Sequence, residues 1–213
     1  MQRAYPGIFQ IMVMGLGFCC LAVLSPRRAE ADGRVPQQVI ETFLKTLQSM
    51  EFPIKDDSRH NQLVAEANAS LDLEAMGRRA LDTHWDEATS DQQKTFLDLL
   101  WKLIEHVAYP RSRDFLGDHE ITYPAVHEAR DGFEVHSVVK QKEEALDVRV
   151  IYHLRQEDAR WKIDDVILDD VSITEDLKYQ FAKILAQSHF SGLLDKMRER
   201  LAGAQKETGG VRA

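Results

Sequence analysis

The sequence predicts an α+β fold: a four-stranded antiparallel sheet with helices before and after it. Two observations carry this. Residues 36–109 and 172–201 repeat apolar residues at helical spacing, whereas residues 119–169 switch to short runs in which apolar and polar residues alternate. Short turn segments, Asp131-Gly132 and Glu157-Asp158-Ala159, join neighbouring runs and so require antiparallel pairing. At 213 residues, with no internal repeat and no linker-like stretch, the chain suits one domain. Its only cysteines, Cys19 and Cys20, are adjacent, which excludes a disulfide-rich scaffold.

The first thirty residues differ in kind from the rest. Arg3 gives a positive start, residues 8–24 are apolar except for Gln10, and Ala29-Glu30-Ala31 offers small residues for cleavage before Asp32. Residues 1–31 therefore read as a signal for export. A retained anchor helix is the other reading, since seventeen residues is the lower limit for a span. Removal takes Arg3, Arg27, Arg28 and Glu30, leaving 24 basic against 34 acidic residues and no thiol. This charge repels nucleic acid and anionic membrane surfaces.

Residues 36–50 set Val39, Ile40, Phe43, Leu44, Leu47 and Met50 on one helical stripe. Shorter helices fit 58–69 and the stretch opened by Leu71-Asp72-Leu73. The clearest helix starts at Ser90, with Gln93 completing a capping box, and runs to about Tyr109, where Pro110 stops it. Strands follow at 119–127, 133–140, 146–155 and 160–169. Leu146, Val148, Val150, Tyr152 and Leu154 share one face of the third, and Asp147, Arg149, Ile151 and His153 the other. A mostly polar second face points to a sheet covered chiefly on one side. Ser172 with Glu175 opens a helix through Phe181, Ile184 and Leu185, and Ser188 opens a last one to Leu201. Residues 32–201 thus form the domain, and 202–213, which lack periodicity, read as a disordered tail.

No catalytic spacing is present: no GxSxG, no P-loop and no HExxH. His119, His127, His136 and His153 fall on the strands, where a wet sheet face accounts for them better than a metal site does. Asp164-Asp165 and Asp169-Asp170 are adjacent pairs on an expected strand, so their side chains diverge and neither pair converges on one substrate. The sequence nominates no enzyme, cofactor or metal centre.

Two segments resemble a known family. One is Leu71-Asp72-Leu73-Glu74-Ala75-Met76 with Ala80-Leu81-Asp82-Thr83-His84-Trp85 and the helix that follows. The other is Trp161-Lys162-Ile163-Asp164-Asp165-Val166 through Val171-Ser172-Ile173. They are similar to the MlaC family, also called the toluene-tolerance auxiliary family, over residues 36–201. The chain departs at Asp169-Asp170, where the family usually has Glu-Gly, and at Asp176-Leu177-Lys178, where it often has Asn-Tyr-Arg.

The resemblance implies a sheet of the NTF2-like kind, with helices closing over one face around a pocket for acyl chains. It implies a periplasmic phospholipid carrier, not an enzyme, serving an inner-membrane ABC-type transporter complex and an outer-membrane lipoprotein complex. Phe96, Leu100, Trp101, Ile104 and Val107 on the long helix are then expected to bind lipid. So are Val148, Val150, Tyr152, Ile163 and Ile167 of the sheet, and Phe181, Ile184 and Leu185 of the closing helix. Trp161 and Asp165 are expected to be structural. The alternative is an exported interaction or assembly factor with a filled core.

Overall fold

The computed structural model describes residues 34–140 and 147–209. The expected export signal, Leu146 of the third strand and residues 210–213 lie outside them. Helix α1 (Arg34–Gln48) buries Ile40, Phe43, Leu44 and Leu47 as one stripe. Helix α2 (Asp57–Ala69) is capped by Asp56, whose side chain accepts from the Arg59 N–H, and α3 (Leu73–Leu81) by Asp72, which accepts from Ala75. A single turn, α4 (Thr83–Glu87), leads to α5 (Ser90–Leu103).

Two expectations about α5 are corrected. The capping box is Thr89 with Gln92, one residue earlier than Ser90 with Gln93. Nor does Pro110 end the rod. A π-turn at Ile104–Ala108 carries α5 into α6 (Tyr109–Leu116), and Pro110 falls in the first turn of α6. Proline offers no N–H to the preceding turn, and the wider π-turn before it gives its ring room beside the preceding carbonyls.

The sheet is a meander, β1 (Glu120–Ala129), β2 (Gly132–Lys140), β3 (Val148–Glu157), β4 (Arg160–Leu168) and the two-residue β5 (Val171–Ser172), in that spatial order and antiparallel throughout. The fifth strand is the one addition to the expected four. At the β1–β2 turn, a Cβ on Gly132 would run into the Leu154 carbonyl, so only glycine fits. Helix α7 (Ile173–Leu185) starts from Ser172, whose hydroxyl accepts from the Glu175 N–H. The Ser188 hydroxyl donates back to the Ile184 carbonyl at the end of α7. Helix α8 spans Phe190–Gly209, which corrects the expected disordered tail over residues 202–209.

Two apolar clusters result. The first packs α1 and α6 on the inner face of the sheet, through Val135, Val139, Val150, Tyr152, Leu154 and Ile163. The second joins α3, α5, α7 and α8 around Phe96, which meets Trp85, Phe181 and Phe190 edge-on at 5.6–6.5 Å. Trp101 and Ile104 touch both.

A bulge decides what β4 contributes. Leu154 pairs with Ile163, His153 with Asp165 and Tyr152 with Val166, so Asp164 is the extra residue opposite β3. The inward phase therefore shifts from Ile163 to Val166 and Leu168, and Ile167 lies opposite Ile151 on the other face. Asp164 is 1% exposed and clamped from three sides. Arg79 of α3 and Arg155 of β3 each stand 2.7 Å from Oδ2, and His153 Nδ1 is 2.5 Å from Oδ1. Arg79 also donates to the Asp164 carbonyl, and His153 Nε2 faces Asp131 at 3.3 Å.

Burial pushes the Asp164 carboxyl up, but the His153 and Arg79 hydrogen bonds and charges outweigh it, and the net direction is down. The hydrogen bond to Asp164 raises His153 against burial, helped by the charges of Asp131 and Glu134. A raised histidine contributes fully below its unfolded pKa of about 6.5 and less as pH climbs through the folded value. A depressed carboxyl contributes fully above about 3.9 and less as pH falls. The clamp is therefore strongest between about pH 4 and 6.5. Asp164→Ala is expected to cost about 2–4 kcal/mol in urea unfolding, below the figure for an enclosed pair because both arginines keep contact with water. His153→Gln should flatten the fall in stability between pH 5.5 and 8.5.

Candidate functional site

The two clusters do not close on each other completely. Between them lies a cavity of about 210 Å³ lined by seventeen residues, none charged at neutral pH. Helix α1 supplies Phe43, Leu44 and Leu47, and the entry to α3 supplies Leu71, Leu73 and Met76. The π-turn adds Ile104 and Ala108, and α6 adds Tyr109, Ser112, Phe115 and Leu116. The sheet gives Val150 and Tyr152 from β3 and, beyond the bulge, Val166 and Leu168 from β4. Ile173, the first residue of α7, closes the ring.

Polar atoms on this wall are few. The Tyr109 hydroxyl donates to Asn68 at 2.6 Å, and the Asn68 amide donates to Glu105 at 3.1 Å, which ties the π-turn to α2. Burial pushes the Tyr109 phenol far up, with the Glu105 charge adding to it. Burial does the same to Tyr152, reinforced by Tyr123 and opposed by a hydrogen bond with Ser137. Both phenols stay neutral, so the wall carries no charge that an apolar guest would leave unpaired. The cavity opens where Leu168 and Ile173, 40% and 41% exposed, reach the surface.

Of the residues expected at the site, Ile104, Val150 and Tyr152 line the cavity. Phe96, Leu100 and Phe181 are buried in the second cluster, with Ile184 and Leu185 packed on it. Trp101 bridges both clusters, Ile163 fills the first, and Val148 packs against the first from its edge. Val107 belongs to the π-turn but not to the cavity wall, and Ile167 is turned away by the bulge. Trp161 stacks edge-on against Phe133 at 5.3 Å. The Asp165 carboxylate accepts from the hydroxyls of Ser172 and Thr174, at 2.6 and 2.8 Å, and so pins the start of α7. Sequence reasoning missed the α6 residues by ending the helix at Pro110, although Tyr109, Ser112 and Leu116 keep helical spacing beyond it.

No three His, Cys, Asp or Glu side chains are grouped to hold a metal among the described residues. On strands β1 and β2, the rings of His127 and His136 meet edge-on at 4.8 Å, and His136 also faces Glu134.

The profile of the MlaC protein family matches residues 37–199. No curated protein sequence matches the chain. Among solved structures, the fold is similar to that of the phospholipid-binding protein from Ralstonia solanacearum, determined in complex with a phospholipid. The TM-score is 0.69 at 21% identity, over 82% of this chain and 98% of that one.

The geometry singles out Ala108, the smallest side chain on the wall. Ala108→Phe should fill the void with the melting temperature shifted by only a few degrees. Binding of a naphthalene-type apolar probe, followed by fluorescence, should then weaken about tenfold, a loss of about 1.4 kcal/mol.

Proposed function

This chain belongs to the MlaC family, and on that premise we propose that it is an exported, periplasmic carrier that takes phospholipid acyl chains into the cavity between its two apolar clusters. The observation that carries the reading is the uncharged cavity itself. An acyl chain in water costs about 0.8 kcal/mol per CH₂ relative to an apolar site, so two sixteen-carbon tails cost roughly 25 kcal/mol as an upper figure. No lipid crosses an aqueous gap at a useful rate against that barrier, and an apolar wall removes most of it. The work is transfer, with no bond made or broken. The lipid passes between an inner-membrane ABC-type transport complex and an outer-membrane lipoprotein complex.

Size sets a condition on loading. An engineered cavity of about 150 Å³ accepts benzene, so about 210 Å³ accommodates roughly eight carbons. Two full tails need about four times that space, so the walls must part as the chains enter. The π-turn is the natural place. It belongs to the helix between the clusters, its ladder is already irregular, and the Asn68 bridge is the hydrogen-bonded tie that its opening would strain. Between partners, the headgroup stays at the mouth by Leu168 and Ile173.

The mature protein, purified without detergent and extracted with organic solvent, should yield stoichiometric phospholipid by mass spectrometry. Delipidated protein should take it up again from vesicles. A protein that carries no lipid and takes up none would instead be the interaction factor with a structural void, and the carrier reading would fall.

A further inference from the structure

The described residues include only five exposed large apolar side chains, and two of them, Leu168 and Ile173, lie on the cavity wall, with a third, Val171, beside them on β5. Val171 pairs with Leu168 across the β4–β5 ladder and is 58% exposed. Neither is a lapse at a frayed end. Asp165 holds both Ser172 and Thr174, so the backbone that presents Val171 and Ile173 is fixed from beneath. The turn between Leu168 and Val171 consists of Asp169 and Asp170 at φ 46° and 66°, both exposed. Glu175 and Asp176, also exposed, follow on the first turn of α7. Of the nearby cations, Lys178 is committed to Asp82 at 3.2 Å, and Arg149, exposed on β3, accepts from the Asp169 N–H through its carbonyl, which leaves four carboxylates against one further cation.

An apolar rim at the mouth of a cavity invites contact, and its charge chooses the occupant. A bilayer with anionic lipid would meet four carboxylates around three apolar side chains and be repelled. A second copy of this chain would bring the same four carboxylates face to face. A protein surface with Lys or Arg set around an apolar depression would satisfy both features at once. Left-handed φ at two successive aspartates is a conformation that glycine or asparagine would meet with less strain and no charge. Keeping aspartate there holds the charge at the tip of the turn.

We propose that the β4–β5 corner is the docking surface for a protein partner with a basic rim, which the Asp169-Asp170 turn orients over the cavity mouth so that lipid passes without meeting water. This rests on the carrier reading for its purpose, but its test is separable. A photo-crosslinking amino acid at Val171, used in cells and mapped by mass spectrometry, is expected to label a protein segment rich in Lys or Arg. The Asp169→Asn/Asp170→Asn double variant, which suits the left-handed turn, should lower the association rate with the purified captured protein about tenfold or more and weaken its salt dependence. Its lipid content and melting temperature should match the parent's. Labelling of a second copy, labelling of a neutral or acidic segment, binding to phosphatidylethanolamine–phosphatidylglycerol vesicles through this corner, or an unchanged association rate would overturn the proposal. Loss of lipid from the parent protein itself would instead count against the carrier reading.

Discussion

The structure turns on two apolar clusters that share a wall without filling it. In mutational series a residual void costs about 24 cal/mol per Å³, so a dry void of about 210 Å³ would cost on the order of 5 kcal/mol. That is a large part of the 5–15 kcal/mol by which domains are stable. A core meant only to hold the fold would gain by closing it, and the means are at hand, because Ala108 and Ser112 are small residues on successive turns of one helical rod. The void is framed by the rod's departure from its α-helical path at Ile104–Ala108 and by the β4 bulge, which decides that Val166 and Leu168 face it. Ile104 and Ala108 of the π-turn line the cavity, as do Val166 and Leu168 just beyond the bulge.

The bulge links chemistry to shape over a short distance. One extra residue in β4 exchanges the faces of everything after it, which places Val166 and Leu168 in the cavity and Ile167 outside. The inserted residue is an aspartate, and two arginines and a histidine hold it. Its neighbour Asp165 anchors the next helix. The adjacent pair Asp164-Asp165 thus serves two structural tasks, the clamp and the anchor of α7. Arg79 brings α3 to the same point, so the clamp also fixes Leu73 and Met76, the contribution of that helix to the cavity wall.

Much of this architecture was legible in the sequence, for identifiable reasons. Val148, Val150, Tyr152 and Leu154 alternate along β3 and pack into the first cluster, with Ile151 the one apolar residue on the other face. Asp131-Gly132 marks the first hairpin, and Phe43, Leu44 and Leu47 form an unbroken stripe. The site was less legible. Phe96 and Phe181 belong to stripes as clean as those of the cavity, because periodicity reports which face is buried but not whether the burial is tight. Pro110 looked like a stop, since the π-turn that admits it has no sequence pattern of its own. Ile167 looked inward because a bulge breaks the period of two that the argument rests on. Family resemblance supplied the idea of a pocket, and packing located it.

The direct measurement is to load the protein with a phospholipid bearing a diazirine near the end of one acyl chain, irradiate it and map the labelled residues. Insertion is expected on the cavity wall, at Leu44–Leu47, Ile104–Ala108 and Val166–Leu168. Lipid bound at full stoichiometry with labels only on the outer face of the sheet or along α8 would contradict the account.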